Sequence, residues 1–128
     1  MNDEQYRDHN IALFKSFSDT FCQRTQTLAE DDRLRMLALE FQSLAKGARD
    51  QLYDQGAALT VRLFTTHPEF APTYPRELLW FFGGDCLHFM PDEEIGIYQQ
   101  LEEQRLQSDA RGKLFDFQAA RAKLLNLQ

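Results

Sequence analysis

Pro75-Arg-Glu-Leu-Leu-Trp-Phe-Phe-Gly-Gly-Asp-Cys-Leu-His-Phe-Met-Pro-Asp-Glu-Glu-Ile95 holds the only tryptophan of the chain, Trp80, and its only Gly-Gly pair. Leu78 to Phe82 form an unbroken apolar run, and Leu87, Phe89 and Met90 follow. A helix that is apolar on most faces must be buried on most faces. The stretch therefore predicts a central helix over about 75–90, with the other elements packed around it. Pro75 suits a first helical turn and Glu77 the positive helix end, while Pro91 disfavours helix at Met90. Gly83 and Gly84 leave two paths open. The helix stops there in a left-handed cap, or it continues and the glycines admit a neighbouring backbone. The spacing of Leu87 and Met90 behind Phe82 and Gly83 favours a continuous or kinked helix.

Outward from this stretch, the pattern is helical throughout. Residues 3–28 carry Tyr6, Asn10, Leu13, Phe14, Phe17, Phe21 and Leu28 at three- and four-residue steps. The acids of Ala29-Glu-Asp-Asp32 favour a new helix start. That second helix reaches about residue 50, with Leu34, Leu37, Ala38, Phe41, Leu44, Ala45 and Ala48 on one face. Gly47 and Gly56 place a boundary near 50–55, so the third helix covers about 55–66, with Leu59, Leu63 and Phe64 inward. Three prolines in His67-Pro-Glu-Phe-Ala-Pro-Thr-Tyr-Pro75 interrupt regular helix, and Phe70 and Tyr74 are placed to pin the loop. Pro91-Asp-Glu-Glu opens a helix to about 111, with Ile95, Tyr98, Leu101 and Leu106 inward and Gly112 as its cap. Asp116 is an N-cap for a last helix carrying Phe117, Ala120, Leu124 and Leu127. No strand pattern, internal repeat or low-complexity tract is present. The expectation is one all-α domain over 1–128, an irregular bundle of five or six helices.

Composition narrows the function classes. At 128 residues the chain can bury a core without staples. A net charge of −6 and scattered basic residues argue against nucleic acid and against an anionic membrane surface. The polar, acidic start has no apolar signal segment, and no apolar run approaches a bilayer span. Two cysteines, Cys22 and Cys86, make no disulfide framework. A reducing cytoplasm is expected.

Few residues suggest chemistry. Asp85 and His88, three apart, share a helix face, whereas Cys86 and His88 are about 200° apart around a helix. One Asp-x-x-His is half of a carboxylate-bridged bundle site, and no second copy occurs. His88 bonded to Asp85 or to a carbonyl is the simpler reading, and buried Cys86 a small inert hydrophobe. The Gly pair lacks the spacing and the lysine of a phosphate loop. The acids Asp92, Glu93 and Glu94 read as a helix start, and Glu102 and Glu103 as a solvated face. No catalytic set and no cofactor site emerges, which points away from an enzyme. The aromatic set exceeds the needs of a plain bundle, and aromatics are enriched at interfaces. Self-association as a homodimer, or capture of another protein, through Phe14, Phe17, Phe21, Trp80 and Phe81 is the leading expectation. A small-ligand or metal site at Asp85, Cys86 and His88 is the alternative.

The runs 78–95 and Phe-Asp-Phe-Gln-Ala-Ala-Arg (115–121) resemble a family of small helical proteins of gamma-proteobacteria, of the Pseudomonas type. The resemblance spans nearly the whole chain. It implies a bacterial, cytoplasmic origin and carries no activity and no site residues.

Overall fold

Asn2 starts the first helix by a reciprocal cap: its side chain accepts from the Gln5 N–H at 2.8 Å, and its own N–H donates to the Gln5 side chain at 3.0 Å. From there the computed structural model, which describes residues 1–126, is helical almost throughout. The α-helices are α1 (Asp3–Thr25), α2 (Arg33–Ala45), α3 (Arg49–Thr66), α4 (Arg76–Phe82), α5 (Asp92–Ala110) and α6 (Phe117–Asn126). Short 3-10 segments occupy Pro68–Thr73 and Gly84–Phe89. No strand occurs among the described residues. The chain is all-α, as its periodicity requires.

Packing of α1 on α2 is aromatic. Phe14, Phe17 and Phe21, one helical turn apart, all hold Phe41 of α2, with ring centroids 5.4, 5.8 and 5.6 Å away. Such pairs contribute about 0.5–1.5 kcal/mol each beyond the area they bury. Asp32 caps α2 through the Leu34 N–H at 2.9 Å. The proline-rich segment is pinned where expected. Tyr74 packs edge-on against Phe17 at 4.9 Å and Phe64 at 5.2 Å, and its hydroxyl pairs with Thr60 at 2.6 Å.

Three features differ from the sequence reading. First, α2 stops at Ala45 and α3 begins at Arg49, so no boundary lies at 50–55 and Ala48 is exposed. Gly56 is not a breaker but a close approach inside α3: a Cβ there would meet Phe82 Cζ at 2.6 Å. Second, the continuous helix over 75–90 is absent. Gly83, at φ 64° and ψ −152°, ends α4, and Gly84 also has positive φ. The helix stops at the glycines, as one of the two alternatives had it, but in an extended positive-φ conformation at Gly83 rather than a left-handed helical cap, and two consecutive positive-φ residues break the helical hydrogen-bond ladder. The element is still central: Glu77, Leu78, Leu79 and Phe82 are buried. Third, Leu106 is 46% exposed and Arg105 takes the inward position of α5 with Ile97, Tyr98 and Leu101. Leu127, expected on the inner face of α6, lies outside the described residues. The caps at Gly112 and Asp116 hold: Lys113 N–H reaches Ser108 O at 2.8 Å, and Ala119 N–H reaches Asp116 Oδ1 at 3.0 Å.

Candidate functional site

The expected interface aromatics separate into two groups. Phe14, Phe17 and Phe21 are buried in the core and offer nothing to a partner, so that part of the expected interface is corrected. Their three- and four-residue spacing served Phe41 instead. Trp80 and Phe81 are half-buried. Trp80 stacks on Tyr98 at 6.3 Å, and Phe81 meets Tyr6 at 6.1 Å and Tyr53 edge-on at 5.4 Å.

Asp85, Cys86 and His88 do not converge. The side chains of Asp85 and His88 are 87% and 81% exposed and 3.9 Å apart. Cys86 is buried, with its Sγ 3.7 Å from Ala57 O. The 3-10 segment has about three residues per turn, which aligns 85 with 88 and turns 86 away. Burial pushes the Cys86 thiol up to about 11, with the Asp85 charge adding to it, so it stays an unreactive thiol. Among the described residues no three His, Cys, Asp or Glu side chains form a metal-holding group.

A cleft of about 360 Å³ opens instead where the first turns of α1 and α3 meet α4 and α5. Tyr6, Tyr53 and Phe81 supply aromatic lining, and Arg7, Arg49 and Arg105 supply three guanidinium groups. Asp3, Asp50 and Glu102 supply three carboxylates. Arg105 is 3% exposed, and its placement is specific. Nη1 donates to Met1 O at 3.1 Å, Nη2 lies 3.1 Å from Asp3 Oδ1, and Cζ sits 4.7 Å over the Tyr6 ring. A buried guanidinium needs such partners. Burial, more than any neighbour, raises the Tyr6 hydroxyl above its usual range. Arg49 donates to Asp8 at 2.7 Å on the rim.

The cleft sits in a chain whose relatives are identifiable at the level of a family. The model described as PA2817-like matches residues 2–128. The chain belongs to the PA2817-like family. No curated protein and no solved structure matches it.

Beside the cleft, this PA2817-like chain buries a polar network that joins α1, α4, α5 and α6. Glu77 is buried, and its Oε2 pairs with His9 Nε2 at 2.7 Å. Gln118 Nε2 donates to Glu77 Oε1 at 3.2 Å. Arg121 Nε donates to the Tyr98 hydroxyl at 2.9 Å and lies 3.9 Å from Glu77 Oε1. Burial raises the Tyr98 hydroxyl, and Arg121 partly opposes it. A buried carboxylate held by His9 of α1 and by Gln118 and Arg121 of α6 is a fastening, since leaving it unpaired would be costly. Sequence reasoning took Glu77 only as a helix-start acid. Its pairing with residues 68 positions back and 41 and 44 forward leaves no local pattern. Tyr53 did leave a signal: an aromatic beside charged neighbours on an otherwise polar helix face.

Proposed function

We propose that this chain works by binding, as a homodimer in the cytoplasm of a gamma-proteobacterium, and that two copies meet through the Tyr53 cleft. The observation that carries the reading is Tyr53, 47% exposed, standing edge-on to Phe81 among Arg7, Arg49 and Arg105. Tyrosine and arginine around a concave, apolar floor are the residue types that dominate binding energy at protein interfaces. Equal numbers of guanidinium groups and carboxylates line the cleft. A two-fold interface must be self-complementary, and a patch with both charges satisfies that without net repulsion. This keeps Phe81 in the interface and replaces the buried phenylalanines of α1 with Tyr53. Bacterial, cytoplasmic origin rests on the resemblance of residues 78–95 and 115–121. Among the described residues no helix is long and apolar enough to cross a membrane, which is consistent with that placement.

Sedimentation velocity over a dilution series tests the reading. The expected result is a dimer that becomes monomeric in Tyr53→Asp while its helical circular dichroism is unchanged. A wild-type chain that stays monomeric at the highest concentration rejects self-association, and a Tyr53→Asp dimer rejects this surface.

A further inference from the structure

A concavity of about 450 Å³ lies between α2 and the C-terminal turn of α3, apart from the Tyr53 cleft. Its charge is unusual for a chain of net −6. Arg33, Arg62 and His67 line it with Thr66, against a single acid, Glu40. Glu40 is already paired with Arg62. Arg33 has no ion pair among the described residues, so one guanidinium stands uncompensated. Thr66 donates to Arg62 O at 2.6 Å and pairs with His67 Nδ1 at 2.9 Å, which orients the imidazole at the rim. The apolar lining is Leu37, which is buried, and Met36, which is 53% exposed.

Two of these features are unfavourable in the free protein. Met36 leaves apolar area in water, which forgoes about 25 cal/mol per Å². Arg33 is the first residue of α2, directly after the capping Asp32, and its positive side chain opposes the helix dipole there. An anion with an apolar body relieves both at once. It neutralises Arg33 and covers Met36. Arginine is suited to the head of such a ligand, because its planar fork matches carboxylate or phosphate oxygens. The volume is that of a small-molecule site.

We propose that the Arg33–Arg62–His67 concavity binds a small amphiphilic anion, a carboxylate or phosphate head on a short apolar body, with Arg33 holding the head and Met36 and Leu37 the body. None of these residues lines the Tyr53 cleft, so this site and the dimer stand or fall separately.

The test is titration of the isotope-labelled full chain with hexyl phosphate, hexanoate and inorganic phosphate, followed by amide chemical shifts. Saturable shifts confined to residues 33–40 and 62–67 are expected with at least one hexyl probe, and the tighter probe identifies the head. Inorganic phosphate should bind at least about tenfold more weakly, since it forgoes burial of the alkyl chain. Arg33→Gln should weaken the hexyl probe about tenfold, the scale of one charge-assisted hydrogen bond. The charge-matched Lys15→Gln, on the exposed face of α1, should leave it unchanged. Shifts scattered over the surface, equal loss in Arg33→Gln and Lys15→Gln, or inorganic phosphate binding as tightly as hexyl phosphate would each overturn the proposal.

Discussion

Three glycines separate what a residue type costs from what its neighbours require. In a helix interior, Gly→Ala ordinarily stabilises by about 0.5–1 kcal/mol. Gly96 in α5 has nothing within 4 Å of its absent Cβ, so Gly96→Ala should show that gain. Gly56 in α3 has the same helical backbone, but its Cβ would sit 2.6 and 2.8 Å from the Phe82 ring. That ring is held by Phe14 at 6.0 Å and Phe81 at 5.4 Å and has little room to retreat. Overpacking of this kind costs about 1–3 kcal/mol, more than the helical gain. Gly83 is different again: φ 64° with ψ −152° is a region open essentially to glycine alone, and alanine there costs about 1–3 kcal/mol. Urea midpoints should therefore fall in the order Gly96→Ala, wild type, then Gly56→Ala and Gly83→Ala. Gly56→Ala matching Gly96→Ala would mean that the α3–α4 contact is looser than described.

At the scale of elements, α6 is the piece held by the fewest means. It contributes one fully buried side chain, Phe117, whose ring lies 5.7 Å from Tyr6 and 6.0 Å from His9. Its polar attachments are Gln118 to Glu77, which also receives His9 from α1, and Arg121 to the Tyr98 hydroxyl of α5. Glu77→Ala takes the buried acceptor away from half-buried His9 and from Gln118, which is itself exposed. Removing one partner of such a pair costs about 3 kcal/mol where burial is complete, and less here because His9 and Arg121 retain some solvent. The loss should be local first. Hydrogen exchange of α6 amides in Glu77→Ala should accelerate well before that of α1 to α3. Uniform acceleration across all helices would show that Glu77 supports the whole core rather than fastening α6.

For the whole molecule, the buried acids set an alkaline limit. Cys86 is raised from 9.0 to about 11, and the hydroxyls of Tyr6, Tyr74 and Tyr98 are all raised, burial being the largest cause in each. In each case the unfolded chain loses its proton at lower pH than the folded one. Above the unfolded values the native state binds more protons, so unfolding free energy falls as pH rises. Below about pH 8, well under the unfolded thiol value, both states are protonated and these groups add no slope. Stability should thus decline between about pH 9 and 11, and Cys86→Ala should flatten the first part of that decline. Stability that is flat across this window, followed by urea unfolding, would contradict the burial of these groups.

The all-α class, the α1 seam, the pinning residues Phe70 and Tyr74, and the caps at Gly112 and Asp116 were decided by local pattern. Periodicity, proline placement and cap chemistry act over three or four residues, within reach of sequence alone. The path through Gly83-Gly84 and the interior place of Gly56 were not, because the same glycine serves a cap, a break or a close contact. What stands across from it decides, and that is Phe82 for Gly56. The same holds for function. Phe14, Phe17 and Phe21 and Tyr53 are all aromatic residues on helices, yet three face Phe41 and one faces solvent. Composition predicted an aromatic excess. Only the tertiary structure, by satisfying most of that excess internally and bringing Arg7, Arg49 and Arg105 together from three helices, decided where binding chemistry remains on the surface.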